Sequence, residues 1–216
     1  MTLLRLADAV DHVDDVRRRA PAASSAAGRP QPAEGPPDGG GPPRPPALGE
    51  MFSRRRTIHE FTAEPAAGEQ LQPLLTAAFA THGLVRPAPA GKPEYAVIAV
   101  RRSAERDFRG IYATAGATEP LADESWLPLL SDYYTDAAVL FLVCGSVRGA
   151  RADYARHLVG AGALGHALWL AALSAGLGGR VFGRSCHPAT VAARRQRADM
   201  RHLLTLAVGH AEEAPL

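Results

Sequence analysis

The chain has 216 residues, a hydrophobic fraction of 46% and a formal net charge of +2. That is room for one ordinary domain with a true core, and too little charge to argue for nucleic acid as the main partner. The 2 cysteines, Cys144 and Cys186, stand at no metal-ligand spacing and make no disulfide framework, which speaks against a zinc module and for the reduced thiols of a cytoplasmic protein.

The N-terminus, "MTLLRLADAVDHVDDVRRRA", has acidic residues and no long apolar core, so it does not read as a secretory signal. Leu3, Leu6, Val10 and Val13 recur at helical spacing, and residues 1–20 are expected to form a short amphipathic helix. Residues 21–47 follow as a linker. The stretch "PAASSAAGRPQPAEGPPDGGGPPRPPALGE" is dense in proline and glycine and has no aromatic residue, so it cannot bury enough apolar surface to offset its ordering entropy. A folded domain is expected over residues 48–216.

That domain opens on "FSRRRTIHEF", Phe52 to Phe61. Three adjacent arginines repel one another. Either they form a solvated basic turn, or they hold an anion, since a guanidinium fork matches phosphate oxygens. Beyond them the elements alternate. "GEQLQPLLTAAFA" has helical spacing, with Pro73 near enough to the start to be tolerated. "EYAVIAVRR" reads as a strand, and "DAAVLFLVCGS" as a central buried strand. A long helix is expected from about Ala152 to Leu177, with "RGARADYAR" as its beginning. "GGRVFG" then reads as a short strand, "ATVAARRQRADM" as a basic amphipathic helix and "HLLTLAVGH" as a last buried strand. The class is α/β or α+β, with a mixed central sheet flanked by helices.

Within the long helix, "LVGAGALGHALWLAALSAGL" has no charged side chain and is long enough to span a bilayer. Gly160, Gly162 and Gly165, with His166 in the middle, and an arginine-rich approach argue against a membrane span. Gly162, Ala163 and Gly165 would let a second helix approach closely, and the expectation is a helix at a dimer interface.

"RRRTIHEF", continued by "TAEPAAGEQLQPLLTAAF", and the later "AGALGHALWLAALSAGLGGRVFG" together resemble the nitroreductase family of FMN-dependent oxidoreductases. The resemblance runs from about Leu48 to His210. It implies that Arg55 and Arg56 grip the FMN phosphate, Thr57 adds a hydrogen bond, and Arg54 is an extra cation facing solvent. His59 would stand beside the pyrimidine edge of the flavin, where the family usually has Arg or Lys. In "FGRSC", Gly183, Arg184 and Ser185 would present backbone amides toward flavin N5. Cys186 and His187 receive no role.

The chain is most similar to the SagB-type branch, whose members oxidise peptide azolines to azoles. "LGEMFSRRRTIHEF", "PAPAGKPEYAVIAV" and "DYARHLVGAGALGHALWLAA" carry that similarity. The pattern departs at Pro89, where the branch has serine, and at Val147-Arg148, where it has a Lys-Tyr pair. Tyr134 and Tyr154 are the nearest phenols, and no catalytic residue is identified. The C-terminus, "GHAEEAPL", lacks the basic residues that help bind phosphate in many relatives.

The resemblance implies a homodimeric FMN enzyme with no metal and no membrane or nucleic-acid partner. It would dehydrogenate or reduce a small-molecule or peptide natural-product intermediate, with NAD(P)H or O2 as second redox partner. The alternative is a degenerate, non-catalytic scaffold that has lost the flavin.

Overall fold

Two continuous apolar runs, Tyr95–Val100 and Val139–Ser146, are buried at every position, which a strand achieves only when both faces of its sheet are covered. They form the middle of the sheet. The computed structural model describes residues 48–66, 71–86, 94–103, 107–121 and 123–211, and the expected N-terminal helix, the linker and Pro89 lie outside the described residues. In chain order the elements are α1 (Leu48–Arg54), α2 (Leu71–Val85), β1 (Tyr95–Arg102), β2 (Phe108–Ala113), β3 (Thr118–Pro120), a 3-10 turn (Leu127–Leu129), α3 (Leu130–Tyr133), β4 (Val139–Ser146), α4 (Val147–Ala152), α5 (Tyr154–Ser174), β5 (Gly178–Phe182), α6 (His187–Gln196) and β6 (Met200–Gly209).

The six strands run in the order β3-β2-β1-β4-β6-β5. All five ladders are antiparallel, and parallel pairing among the described residues is confined to the single bridge Thr57–Gly179. Tyr95, Val97 and Ala99 of β1, with Val139, Phe141 and Val143 of β4, pack under α2 and α5 against Leu75, Phe79, Leu164 and Leu168. The alternate residues Ala96, Ile98, Leu140, Leu142 and Cys144 face Leu127, Leu130 and the α6 alanines Ala189, Ala192 and Ala193. The period-2 geometry of a strand divides the two cores. This is the expected α+β architecture of a sheet flanked by helices with one long apolar helix, but the sheet's ladders are antiparallel where a mixed sheet is expected.

The long helical stretch is two helices, not one. Asp153 has extended backbone, and its carboxylate accepts the Arg156 amide, so it caps α5 and separates it from α4. At the other end Gly176 takes φ 80°, its N–H reaches Leu173 O, and the Leu177 N–H reaches Ala172 O. That is a Schellman stop, in which the positive φ favours glycine. α5 is long and apolar enough to cross a membrane, yet 56% of its apolar window is buried within the chain. Gly165, expected at an interface between helices, instead faces its own sheet: a Cβ there would lie 3.1 Å from Leu204 Cδ1. Gly162 and His166 are exposed on the remaining face beside Leu158 and Val159.

Candidate functional site

The basic segment is laid along the edge strand. Ile58 is buried, its N–H donates to Gly179 O at 3.0 Å, and Thr57 bridges the same residue. Glycine is needed here for close approach. A Cβ at Gly178 would stand 2.5 Å from Ile58 Cγ1, and one at Gly179 would stand 2.8 Å from the Trp169 indole nitrogen. The run "GLGG" therefore stops α5 and then lets the basic segment and Trp169 close on β5.

Arg55, Arg56, Thr57 and His59 are all exposed. The Arg55 guanidinium lies 5.1 Å from the centre of the Trp169 ring, a cation–π contact. Arg56 lines a groove of about 390 Å³ with Ser53, Ile58, Leu173 and Leu177. Neither arginine has a carboxylate partner among the described residues. Nearby, Phe52 stacks on His166 with centroids 6.2 Å apart; burial, and then Arg55, hold the His166 imidazole below its ordinary pKa.

The loop Gly183–Ser185 leaves the far end of β5 and is pinned from behind. The Tyr134 hydroxyl donates to Arg184 O at 3.0 Å, and the Cys186 N–H donates to His202 Nδ1 at 2.9 Å. The Arg184 guanidinium lies 5.8 Å from the centre of the Tyr134 ring. No acceptor among the described residues meets the N–H groups of Gly183, Arg184 or Ser185. The loop therefore offers three amide donors outward from a fixed base. Burial pushes the Tyr134 phenol up to about 12, so near neutral pH it is a donor, not a base. Tyr154, the other phenol near the departure at Val147-Arg148, is exposed at the start of α5.

Sequence reasoning missed His202. It accepts from Cys186 at Nδ1, so its proton sits on Nε2, within 2.9 Å of Leu204 O and 3.0 Å of Thr205 Oγ1. Burial lowers its pKa to about 4. His202 and Thr205 are three residues apart and would face opposite sides of a regular strand. A bulge in the β4–β6 ladder at Val143/Cys144 skips Leu203 and turns both toward α6, where Thr190 bonds the Cys186 carbonyl and the His202 N–H. Cys186 thus serves through its backbone, while burial raises the pKa of its thiol.

The basic segment and the loop are linked through β5, near its start and after its end. A cleft of about 1390 Å³ lies elsewhere, around Glu94, Ser146, Arg148 and Asp199, where β6 begins. The basic segment sits at the other end of β6, where Phe61 bridges Ala211. Volume alone does not mark the chemistry: Arg55, Arg56, Thr57, His59 and Gly183–Ser185 lie beside or just after β5, whereas Arg148 lines this cleft.

The profile of the Nitroreductase family matches residues 52–184. Among solved structures, a candidate nitroreductase from Ralstonia eutropha superposes with TM-score 0.58 at 19% identity, covering 81% of this chain and 89% of its own. An FMN-dependent nitroreductase from Clostridium difficile gives TM-score 0.50 at 16% identity, covering 76% and 88%. A nitroreductase family protein from Clostridium novyi gives 0.51 at 14%, covering 77% and 86%. At these identities the likeness to structures carries the fold alone. No curated protein matches the sequence.

Proposed function

The chain belongs to the nitroreductase family, and on that premise we propose that it is an FMN-dependent oxidoreductase. Arg55 and Arg56 would meet the FMN phosphate, Thr57 would add a hydroxyl, and the amides of Gly183, Arg184 and Ser185 would face the flavin ring. The observation that carries this reading is the pairing, on one edge strand, of two exposed guanidiniums that lack carboxylates with three consecutive amides that lack acceptors. Both are donor sets in want of an anion or an acceptor, and FMN has both: a phosphate near charge −2 and acceptor nitrogens on the ring. When bound, FMN supplies two-electron transfer at its N5 atom.

The chain's own residues do the holding. Arg55 is oriented by Trp169, and Ile58 fixes the register of the basic segment on Gly179. Tyr134 and His202 fix the loop amides, which cost no reorganisation when an acceptor arrives. His59, exposed, would stand at the pyrimidine edge. The resemblance to the SagB-type branch supports dehydrogenation or reduction of a small-molecule or peptide natural-product intermediate, with NAD(P)H or O2 as second partner. The exposed α5 face of Leu158, Val159 and Gly162 supports pairing of two copies.

The absorbance spectrum of the purified chain, followed by FMN titration, tests the reading: flavin bands at one FMN per chain are expected. A second reading, a family member without flavin, is favoured by Val147-Arg148 standing where the branch has a Lys-Tyr pair. A protein that stays colourless after FMN is added would establish it.

A further inference from the structure

The cleft of about 1390 Å³ opens where β1 begins, β4 ends and β6 begins, and Arg86, Arg148, Arg156 and Arg197 line it against Glu94, Asp153 and Asp199. Its carboxylates already have donors. Ser146 Oγ donates to Asp199 Oδ2 at 2.8 Å, and Arg197 Nε stands 2.8 Å from Asp199 Oδ1. Asp153 accepts the Arg156 N–H at 2.9 Å as the cap of α5. Glu94 Oε1 accepts from His157 Nδ1 at 3.1 Å, while the Tyr95 hydroxyl beside it donates to His157 O at 2.9 Å.

Arg197 shares in that pairing, but Arg86, Arg148 and Arg156 are not matched in the same way. Arg86 gives one N–H to the Arg156 carbonyl at 3.2 Å, whereas the side chains of Arg148 and Arg156 have no acceptor among the described residues. The floor is also built for its place. His157 is 1% exposed, and its imidazole fits only because two residues beside it lack side chains: a Cβ at Gly145 would lie 2.3 Å from Nε2, and one at Gly149 3.0 Å from Nδ1. His157 stands behind Glu94 and holds that carboxylate at the cleft wall.

We propose that this cleft binds a phosphate-bearing small molecule of nucleotide size, with Arg148 and Arg156 as the phosphate ligands and Glu94, which lies beside Gly149 and His157, as the acceptor for a hydroxyl or amine of the same molecule. Two guanidinium forks without partners suit the three oxygens of a phosphate monoester, which carries about −1.5 to −2 at neutral pH. A carboxylate would occupy one fork and leave the other. The cleft is larger than the roughly 300–1,000 Å³ of ordinary ligand pockets, so the phosphate needs an organic body attached. Val85, Ala152 and Ala198 provide apolar wall for that body. The site does not depend on the flavin reading, since it lies at the opposite end of β6 from the basic segment within one chain.

The test is isothermal titration of the full-length protein, saturated with FMN beforehand, with adenosine 5′-monophosphate, adenosine and inorganic phosphate as probes. The monophosphate should bind, adenosine should not, and inorganic phosphate should compete. Arg148→Ala with Arg156→Ala should weaken monophosphate binding at least about tenfold, while Arg148→Lys with Arg156→Lys keeps part of it. Circular dichroism and the Tm guard against a folding defect, and both side chains are exposed, so neither should change. Undiminished binding in the alanine variant, equal binding of adenosine, or no binding to the parent protein would overturn the proposal. So would loss of FMN from the alanine variant, because the arginines would then belong to the flavin's own phosphate.

Discussion

The basic segment Arg55–His59 and the loop Gly183–Ser185 flank the same strand, yet they are held in opposite ways. The loop offers backbone amides, and other parts of the fold fix them: Tyr134 on the exposed Arg184 carbonyl, and two buried ties, His202 on the Cys186 amide and Thr190 on the Cys186 carbonyl. The segment is fixed by its backbone at Thr57 and Ile58 and offers side chains that point into solvent. Donors of the first kind are altered only through the scaffold. Those of the second kind can be deleted while the scaffold stands. Function and stability should therefore separate at the segment and move together at the loop.

The sharpest separation is expected at Arg55→Ala with Arg56→Ala. Charge-assisted bonds contribute about 1.5–3 kcal/mol each, so FMN affinity should fall by about two orders of magnitude or more. The Tm should hardly move, because both residues are exposed. FMN titration beside a thermal melt reads both, and unchanged affinity would remove the segment from the site.

At the loop, His202→Leu should cost stability by about 2–3 kcal/mol, since it orphans the buried Cys186 N–H, and should weaken FMN binding along with it. The same residue predicts a pH dependence. Its pKa in the folded chain is about 4, against 6.5 ordinarily. Below pH 6.5 the unfolded chain takes up a proton that the folded imidazole refuses, so stability should fall as pH drops from about 6.5 toward 4, by up to roughly 3 kcal/mol. Urea melts across that window should show a shallower slope for His202→Leu; an equal slope would mean that other groups govern it.

Tyr134→Phe is a smaller test, as it removes one hydrogen bond and keeps the ring packed against Phe182 and His202. A loss of about 1 kcal/mol is expected. A shift in the reduction potential of bound FMN would show that the Arg184 carbonyl tie sets the position of the loop. The smallest effect should come from deleting residues 1–47. Both core clusters among the described residues begin at Phe61 or later, and the two ties of the segment are to β5. The Tm should change by less than about half a kcal/mol equivalent, and a larger loss would mean that the expected N-terminal helix docks on the domain.

Much of the frame was legible in the residues. The apolar runs of β1 and β4 announce strands covered on both faces, because a strand covered on one face alternates apolar with polar residues. Helix α2 follows from leucine spacing, and the chain turn at Gly176 from a glycine after an apolar helix. The short pieces were not legible. β2, β3, α3 and α4 lack a strong period of their own, and Asp153 reads as helix until its carboxylate is seen on the Arg156 amide.

The sequence by itself determined which residues could meet an anion, since three arginines and a threonine in a row are chemistry that needs no fold to be recognised. Only the tertiary structure decided what holds the site. Tyr134 reaches Arg184 across 50 positions and His202 reaches Cys186 across 16. His202 and Thr205 share a face only because the β4–β6 ladder skips one residue. Local sequence sets local periodicity, but a bulge is a property of two strands in register, and a tie across the fold exists only once both strands have found their places in the sheet.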